Sequence, residues 1–108
     1  MTNFEAISAS LYPYDVDDEL IQKACIDERV DSEITYELSQ KIGVAKVVIS
    51  ILRKLIVLSS ESNGGYGLSY DTDKLKERIY DVAVDSGLTD IAEEFNVKSI
   101  IKDISDRW

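Results

Sequence analysis

Apolar residues recur along much of this chain at intervals of three and four, the period of a helix with one buried face. Phe4, Ile7 and Leu11 open the pattern. Pro13 disfavours helical backbone at Tyr12, so the spacing predicts a short first helix that stops there. Asp15 can cap a second helix. Asp17, Asp18 and Glu19 put negative charge in its first turn, beside unpaired backbone N–H groups, and Val16, Leu20, Ile21 and Ala24 lie on its inner side. That helix should end near Arg29. Asp31 or Ser32 then caps the longest element, which reaches about Leu58 without a proline and with one interior glycine, Gly43. About 25 residues at 1.5 Å each make roughly 38 Å of helix.

On a helical wheel this long element gathers Leu38, Ile42, Ala45, Val48, Ile49, Leu52, Leu55 and Ile56 on one face, widened by Val44, Val47, Ile51 and Leu58. Only Ser39, Gly43, Lys46, Ser50, Arg53 and Lys54 form a polar strip, so most of the circumference must be covered. The β-branched run KVVISILRKLIVL is compatible with a buried strand, but its length and the spacing of Glu37 to Lys41 favour helix. Residues 59–70, SSESNGGYGLSY, concentrate Gly and Ser, and Tyr66, Leu68 and Tyr70 alternate as in an extended arm. Asp71 caps an amphipathic helix with Leu75, Ile79, Val82, Ala83 and Ser86 inward and Gly87 at its end. Two short apolar rows follow: Leu88, Ile91, Ala92 and Phe95, then Ile100, Ile101, Ile104 and Trp108. Helices this short must dock on something. The expected fold is all-α: a small helical bundle, residues 1–94, with a long central helix, one extended Gly-rich loop or hairpin arm, and a docking segment at 95–108.

Composition narrows the function classes. In a chain of 108 residues, 44% hydrophobic and 31% charged, there is material for one core. No apolar run approaches the ~20 residues that span a bilayer, so no membrane is expected as partner. There is no His and a single cysteine, Cys25. The common zinc sets and His-based catalytic groups are thus excluded, Cys25 is expected to be a buried inert thiol, and the chain is expected to be neither an enzyme nor a cofactor binder. The opening MTNFEAISASLYPYD has no basic region and no apolar core of a leader, which predicts folding in the cytoplasm. The Asp15–Glu19 cluster departs from a calcium loop, having Leu20 where glycine is needed, and reads as a helix start. NGGYG lacks the following Gly-Lys-Ser/Thr of a phosphate loop and reads as a turn.

Charge is unevenly placed within a formal total of -9. Residues 1–37 sum to -8, residues 38–60 to +4 through Lys41, Lys46, Arg53 and Lys54, and residues 61–108 to -5. The basic stretch ELSQKIGVAKVVISILRKLI has the outline of a helix-turn-helix with its turn at Gly43, and the arm after it that of a wing. Its second helix, however, offers Val47, Val48, Ile49 and Ile51 where base-reading polar groups are needed. Charge segregation also suits copies meeting head to tail, or opposite charges meeting within one domain.

The order of a short opening helix, DDELIQKACIDERVDSE, a long apolar helix ending IVLSSES, and GGYGLSYDTDKLKERIYDVAVDSGL resembles the head-tail connector (adaptor or head-completion) proteins of tailed bacteriophages, particularly those of Bacteroides phages and prophages. The likeness covers about residues 3–90, is most specific from Ser60 to Gly87, and leaves 95–108 unmatched. It implies a helical virion protein at the head-tail interface, made in the host cytoplasm. Commonly twelve copies form a homo-oligomeric ring beneath the portal protein, with other tail or connector proteins as neighbours and genomic DNA passing without sequence-specific binding. No cofactor and no catalytic motif belong to that reading. Lys46, Arg53, Lys54, Tyr66, Leu68, Tyr70 and Trp108 are then the expected subunit-interface residues. The alternatives are a winged-helix DNA-binding regulator and a small acidic helical adaptor or inhibitor of a host protein.

Overall fold

The computed structural model describes residues 1–60 and 71–96. The described chain is all-α: α1 (Asn3–Leu11), α2 (Asp18–Asp27), a single 3-10 turn (Leu38–Gln40), α3 (Lys41–Ser60), α4 (Thr72–Asp85) and α5 (Thr89–Glu94). Among the described residues the only β pairing is one isolated bridge, Thr2 to Thr35. The expected Gly-rich arm, from residue 61 on, and the row Ile100 to Trp108 lie outside the described residues.

α3 is the axis of the bundle. Val44, Ala45, Val47, Val48, Ile49, Ile51, Leu52 and Leu55 are all buried on it, with α1, α2 and α4 packed around. α4 runs antiparallel to α3 and contributes Leu75, Ile79 and Ala83, each fully buried. Burying a side chain the size of Leu75 or Ile79 stabilises the fold by about 1.5–3 kcal/mol. α1 adds Ala6, Ile7 and Leu11, and α2 adds Ile21, Ala24 and Cys25. Burial pushes the Cys25 thiol pKa up, so it is the inert core thiol expected.

The start of the central helix is a correction. It begins at Lys41, not near Asp31, and its 20 residues span roughly 30 Å. Residues 32–36 are instead used by the N-terminus. Asn3 N–H donates to the Ile34 carbonyl, Phe4 N–H to Ser32, and Tyr36 N–H to Met1, at 2.8 to 3.0 Å. A capping box completes the set: Glu5 N–H donates to the Thr2 hydroxyl, and Thr2 N–H to the Glu5 carboxylate. All the N–H groups that α1 leaves without helical partners are thereby satisfied. The bond from the Thr2 N–H, followed by that from its hydroxyl, holds the Glu5 carboxyl below its usual pKa. Asn3, wholly buried, ties the same corner through Nδ2, which donates to the Asp31 carbonyl at 2.8 Å and to Gln40 Oε1 at 3.2 Å.

Three further expectations shift with it. Glu37 is extended and does not pair with Lys41 across a helical turn; Lys41 Nζ lies 3.4 Å from Asp85 of α4. Leu38 and Ile42, assigned to the covered face, are 85% and 52% exposed, because the chain turns into α3 only at that point. Gly43 makes no turn but sits inside α3, where a Cβ would stand 3.1 Å from Val30 Cγ2, a close approach to the chain leaving α2. The turn required by a helix-turn-helix at Gly43 is therefore absent. At α2 the cap is Asp17 rather than Asp15, and at the other end α3 continues past Leu58 to Ser60.

Both α2 and α4 end in the same motif. Gly87 N–H donates to Val84 and Leu88 N–H to Ala83; correspondingly, Arg29 N–H donates to Ile26 and Val30 N–H to Cys25. The residue after each cap is left-handed: Gly87 at φ 75°, as expected, but Arg29 at φ 60°. A side chain in that conformation is strained by about 1–2 kcal/mol, part of which glycine's greater unfolded-state freedom would cancel. Arg29→Gly is expected to raise stability by about 0.5–1 kcal/mol in urea unfolding, with an unchanged m-value. A loss of stability would mean that the Arg29 side chain outweighs the relief of strain.

Candidate functional site

The polar strip on α3 was expected, and the structure keeps it: between Val44 and Leu52 only Lys46 is exposed and only Ser50 half-buried, followed by exposed Arg53 and Lys54. Its charges are not equivalent. Arg53 donates from Nη1 to Glu94 Oε2 at 2.8 Å and from Nη2 to Glu94 Oε1 at 3.0 Å, a fork that joins α3 to α5. The guanidinium also stands 4.9 Å from the centre of the Phe95 ring. Arg53, expected at a subunit interface, is thus engaged within its own chain, as Lys41 is with Asp85.

Lys46 and Lys54 have no acidic partner within 4 Å among the described residues. Each borders a shallow cleft. One, between α2, α3 and α5, is lined by Glu28, Lys46, Ile49, Ser50, Arg53 and Ile91. The other lies between α2 and α3, with Lys54 facing Lys23 and Asp27, which pair with each other at 2.7 Å. Ser50 belongs to both clefts. Among the described residues no group of His, Cys, Asp or Glu is placed to hold a metal ion. What the strip can do is present two cations against an apolar helix, which is recognition chemistry. Tyr66, Leu68, Tyr70 and Trp108, the other expected interface residues, lie outside the described residues.

A second arginine is used internally in a way periodicity does not show. Arg78 of α4 donates from Nη1 to the carbonyls of Ser10 and Tyr12 at 2.9 and 3.0 Å, and lies 5.8 Å from the Tyr14 ring centre. It places positive charge at the C-terminus of α1, the favourable end of the helix dipole. Sequence reasoning also missed large apolar side chains left in solvent. Besides Leu38 and Ile42 these include Ile26 at 74% exposed, Val57 at 51% and Val84 at 55%. Leu38 lies in the 3-10 turn before α3, Ile42 in its first turn and Val57 in its last, and Val84 stands next to Asp85, the partner of Lys41.

The chain belongs to the family of unknown function DUF6706, whose model matches residues 1–108. No curated protein and no solved structure matches it. No helix among the described residues is long and apolar enough to cross a membrane.

The Arg53 fork gives α5 a measurable pH signature. Its hydrogen bonds hold the Glu94 carboxyl below the ordinary value of 4.5, so the folded state gains from ionised Glu94. A lowered carboxylate pKa stabilises above the unfolded value and loses that contribution as pH falls through the folded one. Acid unfolding below pH 4.5 is therefore expected to be less steep in Glu94→Gln than in the unaltered chain, with the two curves parallel at neutral pH. Parallel curves throughout would show that the fork adds nothing to folding.

Proposed function

We propose that this chain is a structural subunit of a virion, a head-tail connector whose copies form a ring between portal and tail and enclose part of the DNA channel. The observation that carries the reading is the uncovered apolar surface at both ends of the central helix. Leu38, in the 3-10 turn that leads into α3, and Ile42 at one end and Val57 near the other remain at least half exposed, beside or on the element that supplies the largest share of the core. Large aliphatic side chains left in water side by side, as Leu38 and Ile42 are, one helical turn apart, suit a surface completed by association. A helical bundle whose clefts beside α3 are shallow also fits a building block better than a small-molecule site, which is typically a deep concavity that encloses its ligand. The sequence resemblance to connector proteins supplies the identity of the assembly: a ring of about twelve copies on the portal protein, with other tail proteins below.

Channel electrostatics are consistent with that role. A chain carrying -9 repels the phosphates of passing DNA, so DNA slides without binding, and no base-reading helix is required.

Light scattering and negative-stain imaging of the purified chain, alone and with the portal protein, test the reading. Closed rings, or a stoichiometric complex with the portal, are expected. Leu38→Ser combined with Ile42→Ser is expected to weaken association by tenfold or more while leaving the helical signal intact, since burying an exposed aliphatic side chain contributes about 1.5–3 kcal/mol. A monomer at all concentrations that also ignores the portal would overturn the proposal.

A further inference from the structure

We infer that Lys46 and Lys54 of α3, which have no acidic partner among the described residues, are a docking strip for the acidic entry to α2 of a second copy of this chain. The inference rests on the assembly reading above and names the surfaces through which two copies meet.

Lys46 and Lys54 flank Ser50 on α3, about 40° to either side of it at 100° per residue, and stand roughly 12 Å apart along the axis. They face one way, over a floor of buried Ile49 and Ile51. The other two cations of α3 are already neutralised, Lys41 by Asp85 and Arg53 by Glu94. Of the acids that line the two clefts, Asp27 is held by Lys23. Glu28 is too far from Lys46 to form an ion pair. Among the described residues the strip is thus a pair of cations without acidic partners, on a chain whose acids outnumber its bases 21 to 12.

The complementary feature lies between α1 and α2. Asp15, Asp17, Asp18 and Glu19 put four carboxylates into five residues, all exposed, with no cation within 4 Å among the described residues. Asp17 occupies the cap position of α2 yet its side chain makes no capping hydrogen bond. The mutual repulsion of these carboxylates is relieved by a cation from outside. Within the chain, α2 packs on the core through Leu20 and Ala24, and none of the carboxylates of its entry lies within 4 Å of either lysine. A second copy can bring them there. Four carboxylates spread over about 10 Å match two lysines about 12 Å apart.

Charge reversal on either side, with association read by sedimentation, decides the matter. Lys46→Glu with Lys54→Glu, or Asp15→Lys with Glu19→Lys, is expected to raise the dissociation constant of the assembly at least about tenfold. The second variant leaves Asp17 and Asp18 at the helix start, so its circular dichroism should be unchanged. Mixing the two variants should restore association between unlike copies, and raising salt from about 0.05 to 0.5 M should weaken the unaltered chain. Should a reversal variant fail to fold, Lys46→Gln with Lys54→Gln must still weaken association. If the unaltered chain assembles and the variants assemble equally well, or the mixture recovers nothing, the docking strip is wrong and the connector reading stands. If the unaltered chain stays monomeric, both fall. If the lysine variants lose only binding to a DNA duplex, the strip serves nucleic acid instead and the inference is overturned.

Discussion

One constraint shapes this molecule: α3 is apolar around most of its circumference, and water must be kept from nearly all of it. A helix with a single apolar stripe can lie on a surface, but one that buries Val44, Val47, Val48, Ile51, Leu52 and Leu55 has to be surrounded. Three helices do this here, none of them long enough to be stable alone in water. α1 has 9 residues, α2 10 and α4 14. Each exists because α3 gives its apolar side somewhere to go, and α3 stays in solution because they cover it. What α3 itself presents to solvent is consequently the strip the three leave open and the residues at its two ends.

The N-terminal corner shows how this packing is held in register. α1 cannot rest on α3 with its first N–H groups unpaired and partly withdrawn from water, because each would cost about 1–3 kcal/mol. The carbonyls of Ser32 and Ile34 supply the partners, and supplying them holds residues 32–36 in a turn, a bend and one β bridge instead of helix. Asn3 then joins that segment to Gln40, next to the first residue of α3. The late start of α3 and the exposure of Leu38 and Ile42 are both consequences of satisfying α1.

This separates what the sequence made legible from what it hid. The helices α1, α4 and α5, the caps Asp71 and Gly87 and the open strip on α3 are local properties: spacing, a capping side chain, a residue suited to left-handed backbone. They were readable. The onset of α3 was not, since Asp31 and Ser32 are acceptable caps and the competing hydrogen bonds come from residues about 30 positions away. The same holds for the candidate site. Four cations on one helix are visible in the chain, but which of them are neutralised depends on Asp85 and Glu94, 44 and 41 residues distant. Arg29 hid for the opposite reason: the turn it occupies is local, but arginine does not announce a left-handed residue as glycine does.

Pairing Lys41 and Arg53 internally while Lys46 and Lys54 stay free has a functional logic. Apolar ends of a helix associate readily but with little directional preference, because burial depends on area rather than orientation. Two cations at a fixed separation discriminate: they favour a partner whose carboxylates match their spacing and penalise one presenting lysines or bare apolar surface. Had all four cations of α3 been free, the strip would bind any polyanion, a nucleic acid included. By committing two of them to α4 and α5, the fold secures its own helices and lowers the charge the strip presents, and with it the affinity for a long phosphate backbone, which grows with the number of cations in contact.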